Sequence, residues 1–546
     1  MNADTVFLNA TIFTSTTDRP VPGAFALRGG TLLAVGTRED VEATAGPDTD
    51  FVSLEGAFVM PGFVDAHNHV SLHGQAELHE VVVPREFTLD QVLDAVDRHV
   101  RADPSEDWVV VAAYGSQLLG ELGSHRTLAR LDAVSGGRPV MIRESSRHNR
   151  WVNSEAMRRA GIGDDSPDPP HGRIVRDPDT GGLTGLLVES AGIPVEHAYA
   201  ATRAFTLADH RERMRAGIRP LSRLGVTAMH DAGASEASMS GAASLDADGQ
   251  LDAWVVSAIP VHEQIFGFLP RGEDVLARAG ALRSEHHRPS FIKIFMDGIP
   301  PTRTASFLDP YQPSPDFPHG VHVGPLLGEE ELVCILEDAA RLGLSAKFHC
   351  TGDGAVHAAL NAVERVRADG FEKTIYQIGH SQFISEGDVA RFTAVGAVVE
   401  ISPYMWYPGA IPSMIDDLVR PGLARRMHPN RELLDAGATV SVGSDWPAAA
   451  NPNPWHAVHG LVNRTDPTGT RPGVSALDQA VTVAEALTMT TLHGARALGI
   501  SDRTGSLEPG KSADFIVTDA NPFDIAPEEL RRIGVTQTWF AGRRVA

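Results

Sequence analysis

Only two cysteines occur in the 546 residues, which excludes a disulfide scaffold and leaves any metal site to imidazole and carboxylate. Basic residues are also scarce, with 47 Lys+Arg against 70 Asp+Glu and a formal net charge of −23. An acidic surface disfavours polyanions, so neither nucleic acid nor an anionic membrane is an expected partner. No stretch approaches the roughly 18 uninterrupted apolar residues of a membrane span. The start, MNADTVFLNA, lacks the basic residues and apolar run of a signal peptide, so a cytoplasmic location is expected. Glycine and proline, 52 and 36, fall short of a low-complexity composition. What is present is a long chain, 42% apolar, with 23 histidines whose placement decides their meaning.

Both ends read as β structure. TVFLNATIFT and a hairpin signal at Gly29-Gly30 open the chain, and ADFIVTDANP with a turn at Ala541-Gly542 closes it. These runs predict one composite β-sandwich domain from residues 1–62 and 495–546. Between them, eight short apolar runs end in polar residues and alternate with helical stretches such as EEELVCILEDAARLG. The fold class expected is α/β, a distorted (β/α)8 barrel over residues 63–494. About 155 residues separate the first run from the second. That length predicts an inserted subdomain over about 75–222, with a helix from Thr88 to Val100. Asp353 is expected to cap one later helix, and Thr482 with Glu485 to form a capping box on another.

The chemistry begins at Val64-Asp65-Ala66-His67-Asn68-His69. Alternate residues of a strand share a face, so His67 and His69 project together and suit a divalent metal. A pair of core or surface histidines reads equally well from H-x-H alone. Four later runs also end in metal-type residues: Lys293 within FIKIF, then His349, His380 and Asp445. A lysine buried beside cations must lose its charge, either by pairing with a carboxylate such as Asp297 or by carboxylation to an anionic carbamate.

The string PGFVDAHNH, with Lys293, His349, His380 and the SDWP around Asp445, resembles the amidohydrolase superfamily. RHNRWVNSEAM, IKIFMDG, HCTGDGAVHAAL and VGSDWP narrow the resemblance to amidohydrolase family 3, the branch that includes N-substituted formamide deformylases. It implies one metal on His67, His69 and Asp445, a second on His349 and His380, and a carbamylated Lys293 bridging them. Zinc suits such ligands best, with one ion or two. It implies activated water attacking a small-molecule amide, with Asp445 as general base and then acid. His148 is a candidate oxyanion donor, or else a hydrogen bond that orders the insertion. Trp406, Tyr407 and Trp446, with Arg303 and Phe307, are candidates to meet an apolar N-substituent, or to pack the rim. Deamination, cyclic amide or ester hydrolysis, decarboxylation and a non-catalytic scaffold are the alternatives. A homodimer is expected from the resemblance alone.

Overall fold

Each apolar run between the two β-rich ends forms a strand because its residues are buried on both faces, the pattern of a parallel sheet covered by helices. The computed structural model describes residues 2–105, 107–262, 265–314, 317–404 and 410–546. Eight parallel strands form the central sheet: β1 (Phe63–Asn68), β2 (Val226–Asp231), β3 (Trp254–Pro260), β4 (His287–Phe295), β5 (Ser345–Cys350), β6 (Tyr376–His380), β7 (Val398–Ile401) and β8 (Val440–Val442). They pair in chain order, and a parallel bridge between Asn68 and Trp446 brings the first strand's end to the last. All eight are those expected from the sequence. The result is a nearly closed barrel.

Strands from the two termini share one eight-stranded sheet. In it Phe58–Pro61 lies between Phe515–Thr518 and Thr5–Ile12. The expected hairpin turns there, with Gly29 at φ 55° and Gly30 at φ 79°, values that glycine adopts without penalty. Between β1 and β2 the chain builds a separate six-stranded sheet with its own helices. Its first long helix, Leu89–Ala102, is capped by Thr88 in a capping box with Gln91. The Thr482–Glu485 box also forms. The cap at Asp353 does not: Gly352 takes the N-cap position, and Asp353 instead accepts the Leu308 N–H at 2.9 Å.

The barrel end is fastened by Asp65. Its carboxylate accepts from the Ser444 hydroxyl at 2.6 Å, the Ser444 N–H at 2.9 Å and the Asn68 amide at 3.0 Å. His67 O accepts the Asp445 N–H at 2.7 Å. The loop after β8 is thereby held over the end of β1, where both histidines sit.

Candidate active site

Strand register sets the level of each site residue. Lys293 faces Lys347 across β4 and β5, and Phe295 faces His349. Cys350 faces His380 across β5 and β6. His380 and Asp445 have positive φ, 62° and 54°, a conformation costly for side chains other than glycine and concentrated at functional sites. At the strand ends the side chains converge. His67, His380 and Asp445 offer ligand atoms within 4.8 Å of one another. Asp445 Oδ1 is 3.4 Å from His69 Nε2 and 3.6 Å from His67 Nε2. The His349 ring lies 4.5 Å from the His380 ring, while its Nε2 is 3.2 Å from Gly298 O. The tightest grouping therefore mixes members of the two ligand sets implied by the resemblance.

The electrostatics suit a cation. Burial holds the His67, His69 and His349 imidazoles below their ordinary range and His380 down to about 3, so their lone pairs are free at neutral pH. Glu400 accepts from His67 Nδ1 at 2.7 Å, which fixes the tautomer and leaves Nε2 as the ligand atom. That Nε2 is buried without a hydrogen-bond partner among the described residues. Such an orphaned imidazole nitrogen fits the role of a metal ligand. Burial pushes the Asp445 carboxyl up, but the His69 hydrogen bond and the basic groups around it outweigh this and hold the group low.

Lys293 is 1% exposed. Asp297 does not neutralise it, being bonded to the Ser306 and Gly352 N–H groups at 3.0 and 2.9 Å and to Thr351. Among the described residues no carboxylate lies within 4 Å of Lys293. Burial and the nearby Lys347 charge lower its pKa to about 7.

His148, from the insertion, meets the barrel here. Its Nδ1 lies 2.7 Å from Glu189 Oε2, and its ring is 5.0 Å from that of His349. Burial works against its protonation, but Glu189 outweighs this and raises the pKa. Nε2 is left to the cavity. That cavity, about 600 Å³, is walled by Ile265, Phe266, Phe295, Ile299 and Ile415 among others. Trp406 and Tyr407 lie outside the described residues. Trp446 stacks on His73 with ring centroids 3.5 Å apart. Arg303 donates to Gln312 O at 2.8 Å, and Phe307 packs on Tyr311 and Phe383. None of these three lines the cavity.

A buried network below the metal-type residues escaped the sequence reading. Lys347 donates to Ala66 O and to Gln377 Oε1, both at 2.9 Å, and lies 3.6 Å from Glu400. Glu400 is pushed up to about 7 by burial, against the pull of Lys347. Gly443 lets it approach: a Cβ there would meet His67 Cβ at 2.4 Å and Glu400 Oε1 at 2.6 Å. Glu400→Gln should weaken metal retention about 10- to 100-fold, measured by chelator competition. Lys347→Met strands the Glu400 charge and should cost about 3–5 kcal/mol, read as a lower denaturant midpoint.

A parallel barrel whose strand ends gather imidazoles and a carboxylate is the architecture of a metal-dependent hydrolase. The chain belongs to the amidohydrolase family, whose model matches residues 50–546; it is a hydrolytic enzyme acting on C–N bonds. An N-substituted formamide deformylase of Arthrobacter pascens is 29% identical over 99% of this chain and 97% of its own. A putative amidohydrolase of Bacillus subtilis, YtcJ, is 26% identical over 96% of this chain and 95% of its own. An uncharacterised metal-dependent hydrolase of Pyrococcus horikoshii shares the fold with a TM-score of 0.73 at 22% identity, covering 96% of this chain and 99% of that one. Among the described residues no helix is long and apolar enough to cross a membrane.

Proposed function

We propose that the protein is a zinc-dependent hydrolase of an N-substituted formamide, or a related small amide with an apolar N-substituent. The observation that carries this reading is an apolar-walled cavity opening directly on Asp445, His380 and Lys293. The Arthrobacter relative's activity points the same way. His67, His69, His380 and Asp445 would hold the ion, with His349 and a carboxylated Lys293 beside them. When bound, the ion supplies a Lewis acid that polarises the amide carbonyl and acidifies water.

The remaining work falls to this chain's own groups. Asp445 takes the proton of the attacking water and delivers it to the departing amine nitrogen. His148, oriented by Glu189, donates from Nε2 to the developing oxyanion. Phe266 and Phe295 keep bulk water from the reacting centre and receive the apolar substituent. A panel of N-alkyl and N-aryl formamides should release amine and formate in equal amounts. Turnover of dihydropyrimidines or lactones, with no formamide hydrolysed, would overturn the assignment.

A further inference from the structure

The same cavity holds one buried charge that the reading above leaves unused. Arg147 is 7% exposed and lines the cavity beside His148 and Asp445. Its backbone is left-handed at φ 65°, a conformation that favours glycine. Its side chain makes one long contact, Nη2 to Leu72 O at 3.4 Å. Among the described residues no carboxylate lies within 4 Å of it. The neighbouring carboxylates are engaged elsewhere. Arg143 bridges Glu80 and Glu196, and Arg150 also binds Glu196 at 2.9 Å. Two carboxylates thus meet three guanidiniums, and Arg147 carries the excess. Glu144, three positions earlier, is bound by Ser116, Ser145 and Ser146. Burying a guanidinium without an anion is unfavourable, yet this one is held at the cavity wall.

We propose that Arg147 seats a substrate carboxylate, so that the substrate is a small amide whose otherwise apolar N-substituent ends in one negative charge. A guanidinium binds a carboxylate through two parallel N–H donors, which fixes orientation as well as charge. Arg85 and Arg471 also line the cavity, together with Asp445 and Glu86. Arg85, however, donates to the Pro447 and Ala448 carbonyls and Arg471 is exposed, which leaves Arg147 as the buried guanidinium able to pair with a ligand. This inference rests on the amide-hydrolase reading of the site.

The test uses 2- and 4-(formamidomethyl)benzoate and their uncharged primary amides. In the metal-loaded enzyme, kcat/KM for the better acid should exceed that for its amide at least about tenfold. Arg147→Met should lower it about 100-fold for the acid, at least about tenfold more than for the amide. Arg147→Lys should recover part of the loss. Binding to chelator-treated protein, measured by calorimetry, reads the same preference without turnover and without carboxylate ligation of the ion. An uncharged amide handled as well as the acid would overturn the proposal. So would an equal loss for both in a variant with an unchanged melting temperature. If neither formamide is hydrolysed, the amide reading fails and binding decides: a preference for the acid that vanishes in Arg147→Met supports the carboxylate seat, and no preference refutes it.

Discussion

Replacing Lys293 with alanine is expected to lower kcat/KM on the order of 10³-fold, and millimolar acetate or propionate to restore part of it. The environment explains both halves. The side chain is 1% exposed and has Lys347 opposite it in register, so an ammonium there meets burial and a like charge together. Its amine, held down to about 7, is largely unprotonated just above neutrality. An unprotonated amine can attack carbon dioxide: the nitrogen lone pair forms a C–N bond, a proton leaves the nitrogen, and an anionic carbamate remains. That anion removes the conflict with Lys347 and adds oxygen donors to a histidine-rich site. In Lys293→Ala the cavity left behind admits a short carboxylate, which supplies equivalent oxygens. Metal content should fall with activity and return with the carboxylate. A carbamate resonance in protein equilibrated with ¹³C-labelled carbon dioxide checks the modification directly. Full activity of Lys293→Ala without added carboxylate would exclude the role.

The barrel strands were legible because burial on both faces writes an apolar run, and a functional strand end breaks that run with a polar residue. Strand parity then placed His67 and His69 on one side, as the structure does. Parity is lost in the loop after β8, where Trp446 lies four residues beyond Val442. Trp446 follows Asp445, whose φ of 54° turns the chain, and its ring stacks on His73 instead of entering the cavity. Arg303 and Phe307 belong to a long loop and turn to Gln312, Tyr311 and Phe383, contacts that no local pattern reveals. Lys347 and Glu400 carried the same signal as Lys293, a charge inside an apolar strand. Their significance depends on meeting each other and His67 across the barrel, a non-local fact. Arg147 was hidden for the opposite reason: an arginine in a polar loop looks exposed until the insertion folds against the barrel.

Asp445→Asn should lower kcat by about 10³- to 10⁴-fold, within the range that a positioned general base and acid contributes. An amide oxygen can still face the cation and accept from His69, so the variant should keep more of its metal than Lys293→Ala. It cannot take a proton from water at neutral pH. The wild-type carboxylate is suited to do so because the histidines around it outweigh its burial and keep it ionised. Its basicity is modest as a result, and the proton it accepts is readily passed on to an amine leaving group. Loss should therefore depend on the leaving group. Amides that expel a weakly basic aniline need less proton delivery than those that expel an alkylamine. The ratio of wild-type to Asp445→Asn rates is expected to be smaller for N-aryl than for N-alkyl formamides. An equal ratio across such a series would assign Asp445 to metal binding alone, because a ligand that only holds the ion affects every leaving group alike.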